Sequence, residues 1–202
     1  MLNKFAVPAS ANKGVYVGKS LAKYNNWSNS SLSELINYIE QKKQIILKKH
    51  LSDLQQRLNK MVNINKEHNS LLIALQEAFM TVKMEIDAHF AREWQLLTPY
   101  IHEIDSYQKY CEVKPVTSLS SIKDIANLIE SEHDQLENIL LKNIRNITSN
   151  YQVTGDSGDA IKILYDKFKE LEEEISEHIR LITDFLFPKL VELEIFIMHR
   201  IY

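Results

Sequence analysis

Four glycines and four prolines are all the strong backbone breakers in these 202 residues. Sheets and barrels turn about every ten residues, and their turns draw on those two residue types. So few breakers over such a length predict long helices with few connections. The apolar residues agree, recurring in steps of three and four, the period of a helix with one face in a core.

Residues 1–28 mix Pro8, Gly14 and Gly18 with several Asn and Ser, the composition of an irregular leader. Ser28, Ser30 or Ser31 can cap a first helix starting near Leu32, and Glu34 stands three residues after Ser31, as in a capping box. This helix carries Ile36, Leu47, Leu51, Leu54 and Leu58 on one side, and the polar residues 63–70 are expected to turn the chain. A second helix carries Leu72, Leu75, Phe79, Val82, Ile86, His89, Glu93 and Leu97 and is expected to end near Pro99. A connection over 107–118, with Cys111 and Pro115, leads to a third helix through Ile125, Ile129, His133, Leu136, Leu140, Ile144 and Ile147. After the Gly-rich turn at 154–159, a fourth runs through Leu164, Phe168, Leu171, Ile175, His178, Ile182 and Phe185 towards Pro188. The expected architecture is all-α: an up-down-up-down four-helix bundle over 29–202, behind a leader over 1–28.

Composition narrows the partners. The formal net charge is −3 and no basic block stands out, which argues against nucleic acid. No apolar run approaches the roughly 18 residues of a spanning helix, so no membrane partner is expected. Residues 1–26 lack the apolar stretch of a signal peptide, and the one cysteine, Cys111, cannot form an intramolecular disulfide. Both point to the cytoplasm, a reducing compartment.

Three of the seven histidines, His89, His133 and His178, fall inside apolar stripes. Residues of an antiparallel hairpin lie level when they are equidistant from its turn. The midpoint of His133 and His178 is 155.5, in the Gly155–Gly158 turn, and that of His89 and His133 is 111, in the second connection. All three imidazoles are therefore expected in one inward-facing layer. Glu93 follows His89 by four residues and shares its face. A lone carboxylate in a core costs several kcal/mol, on the order of 3–5, which a cation beside it would offset. Three nitrogens and a carboxylate oxygen suit iron, manganese or zinc. The first-helix residue level with His89 is Gln44 or Ile45 if the turn centres near 66 or 67; a turn three residues later brings His50 level instead. The surroundings of His89 and His178 also repeat: Leu97-Thr-Pro99 follows the first and Leu186-Phe-Pro188 the second, with Pro ten residues after His each time.

Four segments carry a family resemblance: Leu32-Ser-Glu-Leu-Ile-Asn-Tyr-Ile39, His89-x₃-Glu93 before Pro99, Glu130-Ser-Glu-His133-Asp134, and His178 before Leu186-Phe-Pro188. Together the sequence resembles the iron–sulfur cluster repair di-iron proteins, a hemerythrin-like family linked to nitric oxide and oxidative stress. The resemblance implies a site of four histidines, one per helix, and two bridging glutamates. Carried over, His89, Glu93, His133 and His178 match; the first-helix histidine falls on Gln44 and the second glutamate on Ile182. It implies iron, one or two ions, with oxygen or nitric oxide as small partners, in a site short of two ligands. The other reading is a metal-free bundle serving as an interaction or sensor module. Its apolar tail around Leu193-Glu-Ile-Phe-Ile-Met198 would pack on a partner or on a second copy as a homodimer.

Overall fold

The computed structural model describes residues 27–64, 70–110, 122–153 and 158–199. The chain divides into two units, Met1–Ser30 and Ser31–Tyr202. Of the first, the described part is a single 3-10 turn, Trp27–Asn29, closed by a hydrogen bond from the Ser30 N–H to the Trp27 carbonyl. The rest of the expected leader lies outside the described residues, as do 65–69 of the first turn, 111–118 of the second connection with Cys111, and 154–157 of the Gly-rich turn.

The second unit is an all-α bundle of four long helical rods, with no strand among the described residues. The first rod is α1 (Leu32–Tyr38), a π turn (Ile39–Lys43) and α2 (Gln44–Ile64). The second is one helix, α3 (Ser70–Tyr110). The third is α4 (Ile122–Gln135), a π turn (Leu136–Leu141) and α5 (Lys142–Ile147). The fourth is α6 (Asp159–Arg180), a π turn (Leu181–Leu186) and α7 (Phe187–His199). α2 packs on α3 and α6, α3 on α4, α5 and, more lightly, α7, and α4 on α7, so the rods close around a shared core.

The start of the first rod follows from local chemistry. Ser31 Oγ accepts the Glu34 N–H at 3.2 Å, and the Glu34 carboxylate accepts the Ser31 N–H at 2.9 Å, the reciprocal capping box. That exchange holds the exposed Glu34 carboxyl below the usual carboxylate range, first through the Ser31 backbone bond.

Two expectations are corrected here. Pro99 does not end the second helix, which continues to Tyr110. A mid-helix proline removes one hydrogen bond, from position 99 to the Gln95 carbonyl. Pro99 is exposed, while Leu97, Tyr100, Ile101 and Ile104 around it are buried. Their burial, about 1.5–3 kcal/mol for a large apolar side chain, outweighs the lost bond. The second correction concerns phase. Leu35, not Ile36, is buried in the first rod, and Leu141, not Leu140, in the third.

The π turns explain that shift. In the third rod the buried positions step from Leu136 to Leu141, five residues, where an α-helix allows three or four. In the first rod Leu35, Ile39, Lys43, Leu47 and Leu51 are buried in successive steps of four. Each such step overshoots an α-helical turn by about 40°. The i→i+5 turn, in which the Gln44 N–H reaches the Ile39 carbonyl, absorbs the surplus.

The largest apolar cluster gathers Leu51, Leu54 and Leu58 with Phe79, Phe168 and Leu171. Phe79 meets Phe168 edge-on at 5.8 Å between ring centroids. At the end of the third rod Ser149, Asn150 and Tyr151 take the left-handed conformation, φ 50°, 56° and 61°. The Tyr151 ring offsets that backbone cost by stacking on Phe168 and lying against Tyr165, with its hydroxyl on Glu172.

Candidate metal centre

The histidine layer lies between this apolar cluster and the buried residues around Leu97, Ile129 and Leu186 further along the rods. α3 supplies His89 and Glu93, α4 supplies His133 and α6 supplies His178, and each is at most 4% exposed. The rods face these side chains inward because each stands in the buried stripe of its helix: Ile86 precedes His89, Ile129 precedes His133 and Ile175 precedes His178, by three or four residues.

The structure brings the three expected histidines together and sets Glu93 against two of them. One nitrogen from each of the three histidines falls in a group whose members lie within 4.8 Å of one another. Ring centroids are 4.8 Å apart for His89 and His133, 5.8 Å for His89 and His178, and 6.1 Å for His133 and His178. Glu93 Oε2 lies 3.3 Å from His178 Nε2 and 3.7 Å from His89 Nε2.

Hydrogen bonding within the layer is incomplete. His89 Nε2 and His133 Nε2 are 3.2 Å apart. Glu93 Oε2, His133 Nδ1 and both nitrogens of His178 are buried without a hydrogen-bond partner. Such atoms cost about 1–3 kcal/mol each when left unpaired. Several of them crowd one small layer, and a cation would satisfy them jointly.

Charge points the same way. Burial, and then the charges of His89 and His178, push the His133 imidazole down to about 2, so it is held neutral with a lone pair to give. Glu93 is held below the usual carboxylate range. Burial pushes its carboxyl up, but the charges of His178 and His89 and polar contacts with His178 and Gln44 outweigh that. Imidazole nitrogens beside an anionic carboxylate are a donor set that fits a divalent transition metal.

A second layer of contacts orients the first. Glu132 Oε2 accepts the His89 Nδ1–H at 2.8 Å, and Arg92 Nε holds the other oxygen of that carboxylate at 2.5 Å. This fixes the His89 tautomer: the proton sits on Nδ1 and the Nε2 lone pair faces the centre. Sequence reasoning missed the role of Glu132, although it stands one residue before His133. It also missed Lys43, 2% exposed, which is bonded to Glu174 at 2.7 Å and to Glu177 on α6. Burial lowers the Lys43 ammonium, but its hydrogen bonds to the two carboxylates outweigh that and raise it above the usual value. Lys43 thereby ties the first rod to the fourth beside Gln44 and His178.

The remaining positions follow from register. Gln44 opens α2 and lines a groove with Glu93. His50, a turn and a half further on, is half-buried and stands outside the histidine group. Ile182 is fully buried at the fourth-rod π turn and offers no ligand atom. His68 lies outside the described residues.

This arrangement defines a class: an all-helical bundle with a buried histidine–carboxylate centre able to hold a metal ion. No family model matches the chain. Individual relatives do. The chain is 24% identical over 164 residues to the iron-sulfur cluster repair protein YtfE of Escherichia coli O81 (strain ED1a), covering 81% of this chain and 68% of that protein. It is 24% identical over 155 residues to the iron-sulfur cluster repair protein ScdA of Staphylococcus haemolyticus (strain JCSC1435), covering 77% of this chain and 65% of that one. The chain is thus similar to proteins of iron–sulfur cluster repair and spans about two thirds of the length of these relatives. No described helix is long and apolar enough to cross a membrane.

Proposed function

We propose that the bundle is a non-haem iron protein of iron–sulfur cluster repair, acting under nitric oxide or oxidative stress, with one tightly held ion per chain. The ligands are His89, Glu93, His133 and His178. The observation that carries this reading is the convergence of three buried imidazoles, with the unpaired Glu93 oxygen against two of them, His89 and His178. The family name supports iron as the metal.

An iron ion held there supplies redox chemistry and open positions for a small diatomic such as oxygen or nitric oxide. The protein's own residues do the rest. Glu132 and Arg92 keep the His89 lone pair aimed inward before any ion arrives. Burial keeps His133 neutral, so no proton has to be displaced from it near neutral pH. The apolar residues on both sides of the layer, with Phe90 against the His178 ring at 5.1 Å, keep bulk water out. Ile182 places a hydrocarbon where the family resemblance implies a bridging carboxylate. A second cation therefore lacks the charge that would hold it tightly in the histidine layer.

The test is an element-resolved metal count on protein purified without added metal. About one iron per chain is expected, falling to none in His133→Ala while the helical circular dichroism remains. Metal-free protein that refuses iron would overturn the reading and favour an interaction module, for which the exposed Val191, Ile195 and Phe196 of α7 are the available surface. Two tightly bound irons with an oxo-bridge absorption band would overturn the single-ion reading.

A further inference from the structure

The third rod carries one residue more than a continuous helix needs, and its polar contacts fix where that surplus sits. Arg145 on α5 reaches back across the π turn. Its Nη2 donates to the Glu137 carbonyl at 3.2 Å, and its Nη1 donates to Glu172 Oε2 on α6 at 3.0 Å. The Tyr151 hydroxyl donates to the other oxygen of Glu172. The Glu137 side chain is held as well, since Ser176 Oγ on α6 donates to Glu137 Oε1 at 3.1 Å. Glu137 stands four residues after His133, and Ser176 two residues before His178. These contacts tie the third rod to the fourth beside two of the three histidines.

Stability alone does not account for the arrangement. The Arg145 and Glu172 side chains keep 36% and 16% of their surface in water, and ion pairs of that kind contribute little. Geometry is what they fix. A planar guanidinium bonded to two acceptors at once holds both in one orientation. One of those acceptors is backbone inside the turn, where the i→i−4 ladder is interrupted and an outside donor can complete it. A surplus residue can be taken up at many points of a helix. Were it taken up one turn earlier, before His133, the imidazole would rotate by about 100° out of the inward-facing layer. The bonds to Glu137 instead hold the surplus between Leu136 and Leu141, past the histidine.

We propose that Arg145 is a positioning residue of the metal centre. With Glu137 and Ser176 it pins the surplus residue of the third rod behind His133, and so keeps the His133 and His178 rings facing one ion at their centroid separation of 6.1 Å. Arg145 acts through the turn, not by contact with the ion. The proposal rests on the histidine centre described above, and adds the means by which a helix of irregular period presents His133 to it.

The test is a Co²⁺ titration of the full chain stripped with chelator, because the visible bands of Co²⁺ report ligand geometry as well as occupancy. The wild type should take up one tight ion. Arg145→Met keeps the hydrocarbon stem and loses the donors; it should weaken Co²⁺ by about tenfold and move the bands. Removing a positive charge would by itself tighten a cation, so weakening identifies displaced ligands. Ser176→Ala, which frees the Glu137 side chain, should act in the same direction with a smaller effect. Ile144→Val, a truncation in the apolar cluster, should lower the urea midpoint and leave affinity and bands unchanged. Unchanged affinity and bands in Arg145→Met overturn the positioning role and leave the histidine centre standing; should that variant fail to fold, the same result in Ser176→Ala does so. Bands that move equally in Ile144→Val also overturn it, because general loosening then accounts for the effect. A wild type that takes up no Co²⁺ overturns the histidine centre, and the positioning role falls with it.

Discussion

Around Phe79 the buried side chains of the bundle are almost all hydrocarbon: Leu51, Leu54, Leu75, Phe168 and Leu171 close on one another. Ten residues on, about 15 Å along the same α3, the core at His89 holds three imidazoles and a carboxylate with several unpaired atoms. The rods differ in the same places. α2, α3 and α6 run as regular helix through the apolar half, whereas all three π turns fall beside the histidine layer. The first half is held by apolar burial. The second is tolerable because the first holds it, and it becomes favourable when an ion satisfies its donors.

The largest expected effect tests the apolar half. Phe79→Ala should lower the unfolding free energy of the metal-free protein by about 3–5 kcal/mol in urea denaturation, while iron bound per folded chain stays at the wild-type value. A loss below about 1 kcal/mol would mean that this half does not hold the bundle together. Next comes orientation of the histidines. Glu132→Ala should weaken the tight ion by about 10- to 100-fold in competition with a chelator, and lower the metal-free stability by about 1–3 kcal/mol because the buried His89 Nδ1–H loses its acceptor. An unchanged affinity would show that the His89 tautomer needs no carboxylate.

Lys43→Ala is third. Breaking a fully buried pair costs about 3–5 kcal/mol, but Glu174 and Glu177 keep 24% and 20% of their side-chain surface in water, so about 1–2 kcal/mol is expected. Lys43→Met, which keeps the packing and removes the charge, distinguishes the ion pairs from the hydrocarbon stem in the same denaturation assay.

The smallest effect is pH. The His133 imidazole is depressed from an ordinary 6.5 to about 2, so the unfolded chain takes up a proton as pH falls through 6.5 and the folded one does not. Its contribution is present above 6.5 and lost progressively below it. Tyr165, in the apolar half, goes the other way. Burial raises its phenol, so its contribution is present below 10 and lost as pH rises beyond. Metal-free protein should therefore have a lower urea midpoint at pH 5 than at pH 7.5, and His133→Leu should flatten that acid limb. A midpoint independent of pH in the wild type would contradict a neutral, buried His133.

Much of this contrast is legible in the chain itself, for identifiable reasons. The apolar stripes and the midpoints of His89, His133 and His178 place the imidazoles in one layer, because equal distance from a turn is a property of counting. Glu93 follows from a single helical step. Glu132 does not, because a glutamate beside an exposed Asp134 has the pattern of a solvated face, and only the fold shows that it reaches His89. Lys43 is hidden for the same reason: buried lysines are rare, and its partners are 131 and 134 residues away. Pro99 misleads because a proline marks a helix end unless neighbouring apolar residues carry the helix past it. The exchange of Leu140 for Leu141 escapes any template with a fixed period, since a π turn changes the period locally.

Those π turns also set where the chain can change length. A residue deleted from an ordinary stretch of helix rotates everything beyond it by about 100° and turns a buried stripe outward. Between Leu136 and Leu141 the helix already carries one residue more than the stripe requires. Removing one there leaves a step of four, which an α-helix accepts with Ile144 still facing inward. The wall beside the histidine centre can thus be shortened by one residue while the apolar half keeps its phase.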